Sequence, residues 1–80
     1  MIVVYTKTGC PWCAEVLEFL RDKKIEFEEK EVLKNPKFME ELMQRSGQNK
    51  TPTLDVGGDI LADTDIRAVE NFLKNKGIIN

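Results

Sequence analysis

The chain contains two cysteines, and both stand in the run Cys10-Pro11-Trp12-Cys13. Cysteines at this spacing bring their sulfurs within bonding reach across the first turn of a helix, which is an arrangement suited to reversible thiol–disulfide chemistry. The apolar run Ile2-Val3-Val4-Tyr5 precedes them and a helical stretch follows. Cys10 therefore falls near a helix N-cap, where unpaired backbone N–H groups and the positive end of the helix dipole stabilise a thiolate. Pro11 suits the first helical position, because its missing N–H has no partner to lose there and its fixed φ is already helical.

Three other readings compete. A structural staple explains little, since closing a four-residue ring stabilises by about 2 kcal/mol against about 3 for fifteen residues. A zinc site normally needs four ligands rich in Cys or His, and this chain offers two Cys and no His. A zinc or cluster shared between two chains, or completed by external thiols, stays open. A chance pair is disfavoured by the strand before the motif and the helix after it.

The elements that must position the pair follow from periodicity. Ile2–Thr6 reads as a buried strand, and a helix is expected from about Pro11 to Lys23 with Ala14, Val16, Leu17 and Leu20 inward. Ile25 to Val32 reads as a second strand whose charged residues guard an edge against aggregation. Asn35-Pro36 opens a second helix, with Phe38, Met39, Leu42 and Met43 as its apolar stripe, and Gly47 ends it; methionines at helical spacing are core filler in preference to a soft-metal site. Thr53–Val56 and Ile60–Ala62 form a hairpin across Gly57-Gly58. A last helix starts near Asp63 or Thr64, turns Ile66, Val69, Phe72 and Leu73 inward and closes at Gly77. The order is βαβαββα, an α/β chain with a four-stranded mixed sheet and helices on both faces: a parallel right-handed first unit and an antiparallel hairpin.

Composition narrows the function. With 80 residues, one domain over residues 1–80 is expected, and a formal net charge of −2 supplies no basic field for nucleic acid. No apolar stretch approaches the roughly 20 residues that span a bilayer. The first strand begins at Ile2, so no signal peptide and no membrane association are expected, and reduced cysteines fit a cytoplasmic protein.

On Tyr5-Thr6-Lys7 followed by Cys10-Pro11-Trp12-Cys13, on Ser46-Gly47 through Thr51-Pro52-Thr53, and on the Gly57-Gly58 hairpin before the last helix, the chain resembles the thioredoxin fold and its glutaredoxin branch. The resemblance implies a dithiol–disulfide oxidoreductase in which Cys10 attacks and Cys13 resolves the mixed disulfide. The chemistry agrees, because the sulfur at the helix end is the exposed one and the sulfur a turn deeper is shielded. A thiolate stabilised by the helix end and Lys7 loses intrinsic nucleophilicity as it gains population, so the larger gain is that Cys10 becomes a good leaving group.

The resemblance further implies a cis Thr51-Pro52 bond facing the cysteines, with the backbone of Thr51 offered to an extended cysteinyl substrate. A plain proline at the start of a strand is the alternative. Lys7 is expected to bind a carboxylate, against the alternative of a solvated loop lysine. Trp12 is expected to be exposed for substrate contact, against simple cover for the strand. Glutathione-using members resemble each other in a Thr-Val-Pro segment and a Gly-Gly corner before acidic residues; here Lys50-Thr51-Pro52 and Leu61-Ala62-Asp63-Thr64-Asp65 stand in their place. Thr64 and Asp65 are expected to receive a γ-glutamyl carboxylate at the last helix's N-terminus, with Lys7 at the other end of a shallow groove. Glutathione is the expected electron donor, with no tightly bound cofactor and no metal, and a monomer acting on disulfide-containing proteins. Two alternatives remain: a redoxin reduced by a flavoprotein disulfide reductase of the thioredoxin-reductase type, and an iron–sulfur carrier in which two chains each donate Cys10.

Overall fold

A computed structural model describes residues 1–79. The opening β-branched run forms β1 (Ile2–Thr6), α1 covers Pro11–Asp22, and β2 follows at Glu28–Glu31. The chain continues through α2 (Pro36–Ser46), β3 (Thr53–Val56), β4 (Asp59–Leu61) and α3 (Ile66–Asn75). The strands lie in the order β2-β1-β3-β4. β1 pairs in parallel with β2 and antiparallel with β3, which pairs antiparallel with β4.

Strand alternation builds two cores on one sheet. Ile2 and Val4 of β1 with Leu54 and Val56 of β3 pack against Val16, Leu17 and Leu20 of α1 and Val69 and Leu73 of α3. Tyr5, on the opposite face, packs with Val32 and Leu42, and Val3, Phe38 and Met39 close around them under α2. Helices therefore cover both faces, which is why the central strand β1 reads as an apolar run.

Boundaries differ from expectation where local chemistry decides them. Ile25 and Phe27 pack on the core outside β2, so the second strand is four residues, Glu28–Glu31, and lies at the sheet edge. Gly57 and Gly58, at φ +60 and +98, form the left-handed two-residue turn of the hairpin, and this carries Asp59 into β4 opposite Val56. Ala14 is exposed, and Cys13 occupies the inward position a turn before Val16 and Leu17. Met43 is exposed as well.

Polar side chains fasten α2 across the sheet. Lys30 Nζ on β2 donates to both carboxylate oxygens of Glu41 at 2.8 and 2.9 Å. Arg45 Nη1 donates to Asp55 Oδ2 on β3 at 2.8 Å, while Asp55 Oδ1 accepts from the Gly58 N–H at 2.8 Å. The buried Asp55 thus has both oxygens bonded. The Tyr5 hydroxyl lies beneath this network with no hydrogen-bond partner among the described residues. Burial first, then the nearby Glu41 carboxylate, pushes its ionisation far above the ordinary phenol range. Hydrogen bonding from Lys30 is the largest influence that holds the Glu41 carboxyl below its ordinary value.

Two predictions follow from these contacts. Because Glu41 has a depressed folded-state pKa, its stabilising contribution is present at neutral pH and is lost as pH falls through that lowered value. Glu41→Gln is expected to lower the urea unfolding free energy by about 1 kcal/mol at pH 7, and the gap to wild type should narrow toward pH 3. Lys24, just past α1, is a non-glycine residue at φ +57 while the following Ile25 N–H bonds back to the Leu20 carbonyl at 2.9 Å. Lys24→Gly relieves left-handed backbone strain that exceeds the entropy cost of glycine, and a gain of about 0.5–1 kcal/mol is expected in chemical denaturation.

Candidate active site

The β1–α1 loop delivers the first cysteine. Cys10 N–H donates to the Lys7 carbonyl at 3.2 Å, closing a turn with Gly9 at φ +84 in the position that demands a left-handed residue. Apart from its chain neighbours, no atom of the described residues lies within 4 Å of a Cβ built on Gly9, so the requirement is conformational and not a lack of space. Cys10 is the N-cap of α1, and its Sγ accepts the Cys13 N–H at 3.2 Å. A sulfur thus does the work that a serine or aspartate oxygen does at most helix starts. Pro11 follows at the first helical position.

The two sulfurs are paired as a disulfide, with Cα atoms 5.2 Å apart. Their surroundings differ. Cys13 is only 2% exposed and belongs to the buried stripe of α1, whereas Cys10 is half-buried at the rim of a cleft. The Thr51-Pro52 bond is cis, and Thr51 lies against the exposed sulfur, its hydroxyl 3.8 Å and its carbonyl oxygen 3.9 Å from Cys10 Sγ. β1 and β3 run antiparallel with Tyr5 opposite Thr53, so the end of one strand and the start of the other meet at the same rim.

The cleft, about 480 Å³ in volume, brings Lys7, Trp12, Thr51, Thr64 and Asp65 together around Cys10. Trp12 is 60% exposed beside the motif. Pro52 is buried and supports the cleft without lining it. Lys50 and Asp63 also line it and were not singled out as site residues by the sequence; each directly precedes a candidate residue, which is the signal that adjacency in a loop provides.

The corner after β4 departs from expectation. α3 starts at Ile66 with Asp65 as its N-cap, the carboxylate accepting the Ala68 N–H at 3.0 Å. Asp63 takes φ +49 and turns the chain back, so the buried Thr64 donates its N–H to the Pro52 carbonyl at 2.9 Å. That N–H is committed to the strand and is not an open helix-end donor.

A sheet ordered β2-β1-β3-β4, helices on both faces, and a Cys-x-x-Cys pair capping the first helix beside a cis-proline strand edge define a thioredoxin-fold dithiol protein. The glutaredoxin family profile matches residues 2–61. The chain belongs to the glutaredoxin family, as a glutaredoxin-like redoxin. It is similar to an uncharacterized glutaredoxin-like 8.6 kDa protein of the rubredoxin operon of Clostridium pasteurianum, 28% identical over 74 residues that span 92% of this chain and 99% of that one. Glutaredoxin 3 of Escherichia coli is 28% identical over 64 residues, covering 80% of this chain and 77% of its own length. Among solved structures, the thioredoxin-like protein BC3987 superimposes with a TM-score of 0.83 and 32% identity, covering 91% of this chain and 100% of that chain.

The difference in burial predicts unequal reactivity. After reduction, iodoacetamide at pH 7 is expected to alkylate Cys10 at least about tenfold faster than Cys13, because access and thiolate stabilisation both favour the capping sulfur; peptide mapping by mass spectrometry at early times reads the ratio.

Proposed function

We propose that this protein is a cytoplasmic dithiol–disulfide oxidoreductase that reduces disulfides of proteins or mixed disulfides with glutathione, acting as a monomer. The observation that carries the reading is the pairing of a sulfur at the N-cap of α1, at the cleft rim where the cis Thr51-Pro52 edge begins, with a buried one a turn inside. In the reduced protein the Cys10 thiolate attacks a substrate disulfide, forming a Cys10 mixed disulfide as the first substrate sulfur leaves and takes a proton. The Cys13 thiolate then attacks Cys10 Sγ. The mixed disulfide breaks, the second substrate thiol is released, and two electrons have passed from the protein to the substrate, leaving the Cys10–Cys13 bond.

The helix end assists the first step and the later return to the dithiol. It stabilises Cys10 as the attacking thiolate and again as the leaving thiolate when two reductant thiols, or a flavoprotein reductase, restore the dithiol. In this reading Thr51 presents backbone to an extended substrate, Lys7 attracts a carboxylate, Trp12 covers the bound thiol, and Thr64 with Asp65 shapes the opposite wall. Glutathione is the proposed donor. The buckwheat glutaredoxin whose complex with glutathione has been solved shares the fold at 20% identity, and the charged residues lining this cleft suit a ligand of that type.

Cys10→Ser is expected to abolish disulfide reduction by at least about a thousandfold, whereas Cys13→Ser should accumulate a glutathione adduct at Cys10 after exposure to oxidised glutathione. Mass spectrometry locates the adduct; turnover retained in Cys10→Ser, with an adduct on Cys13, reverses the assignment. Coupled assays with glutathione plus glutathione reductase, beside thioredoxin reductase plus NADPH, test the donor. Turnover that ignores glutathione but follows the flavoenzyme replaces glutathione as the reductant.

A further inference from the structure

Beside the Thr51-Pro52 edge, one buried hydroxyl has all of its bonding capacity in use. A threonine hydroxyl offers one donor and two acceptor positions. Thr53, with no exposed surface, donates to the Lys50 carbonyl at 2.8 Å and accepts from Gln48 Nε2 and from the Asp63 N–H, each at 3.2 Å. Gln48 closes the same knot from its other end, its Oε1 accepting the Lys50 N–H at 2.6 Å. Three residues meet at this one oxygen: Gln48 and Lys50, both in the loop after α2, and Asp63 in the corner after β4.

Two of those residues flank the cleft. Lys50 and Asp63 both line it, together with Lys7 and Asp65. Strand order places Lys7 beyond β1 and the two aspartates beyond β4, two strand spacings or about 10 Å apart at this end of the sheet. The flanks therefore carry opposite charge on either side of the Thr51 edge. Asp63 takes a left-handed backbone at φ +49, which aspartate tolerates better than most residues, and the Thr53 hydroxyl that accepts its N–H helps to hold the corner there.

We propose that Thr53 is a positioning residue for substrate: its hydroxyl ties the Lys50 carbonyl to the Asp63 corner beside the Thr51-Pro52 edge, and thereby sets the affinity for disulfide-bearing peptides long enough to reach the charged groups on both sides of the cleft. This rests on the oxidoreductase reading above. None of the Thr53 hydrogen bonds involves a cysteine, so the chemical step stays with Cys10 and Cys13 and the effect belongs to binding.

The test compares two substrates with dithiothreitol as the reductant. One is a seven-residue peptide whose central cysteine is disulfide-linked to mercaptoethanol, with lysine on one side and glutamate on the other; the second is bis(2-hydroxyethyl) disulfide, which is too small and uncharged to span the flanks. Thr53→Val keeps the shape and removes the hydroxyl. It is expected to raise the peptide KM about fivefold with kcat within about twofold, to leave the KM for the small disulfide within about twofold, and to be reversed by Thr53→Ser. Gln48→Ala, which cuts one of the three bonds from outside the strand, should raise the peptide KM about twofold and provides the measurement if Thr53→Val does not fold. An unchanged peptide KM in these variants, or a parallel loss on both substrates, overturns the positioning role while leaving the oxidoreductase reading intact. Wild-type protein that reduces neither substrate overturns that reading and the positioning role with it.

Discussion

The antiparallel pairing of β1 with β3 is the constraint on which the site depends. With Tyr5 opposite Thr53, the chain leaving β1 and the chain approaching β3 must meet at one end of the sheet, and Cys10 and Thr51 become neighbours although 41 residues separate them. A slip of one residue would exchange the faces, placing Leu54 under α2 and Thr53 against α1. The apolar faces forbid it, since Val4 and Leu54 are fully buried on one side and Tyr5 on the other. Hydrophobic packing along the central strands thus fixes the site geometry, although almost none of the packed residues lines the cleft.

Around that pairing, polar contacts hold what packing leaves loose. The edge strand β2 presents Glu28, Glu29, Lys30 and Glu31 in succession, and these charges are bonded across elements in several directions. Thr6 donates to Glu29 Oε2 at 2.7 Å, Lys30 reaches Glu41 on α2, and Glu31 accepts the Thr8 hydroxyl in the loop that leads to Cys10. The same strand that discourages edge pairing with other chains therefore ties the active-site loop and the far-side helix to the sheet. Asp55 performs a related task inside β3, joining Arg45 of α2 to the Gly57-Gly58 turn.

Much of this was legible in the sequence, and the failures share a cause. Element order, the roles of Pro11, Pro36 and Gly47 at helix ends, and the Gly57-Gly58 turn are local signals, and the structure follows them. The Cys-x-x-Cys spacing was visible at once. The shielding of Cys13 was legible too, but the exposure of Ala14 was not, because Ala14 matches the apolar pattern and only the packing of Val16, Leu17 and Leu20 against β1 and β3 settles which residues turn inward. Ile25 and Phe27 alternate like strand residues, yet they serve the core from a connection without pairing. The bonding roles of Thr53, Asp55 and Asp63 are not legible, since each meets a partner ten positions away. A hydroxyl that joins Gln48, Lys50 and Asp63 carries no periodicity for a sequence to show.

The sulfur cap on α1 has a thermodynamic consequence. In most helices the cap is inert, but here its sulfur is either a thiol or half of the Cys10–Cys13 disulfide, and its bonding differs between the two forms. Whatever free energy the helix end lends to the reduced cap over the oxidised one enters the conformational stability of the two forms, and a cycle through the unfolded dithiol and disulfide requires the same quantity to appear in the equilibrium with a donor. Electron affinity and resistance to unfolding are thus two readings of one free-energy difference. A calorimeter comparing the dithiol and disulfide forms would report how far folding shifts the oxidising strength of this protein from that of its unfolded chain.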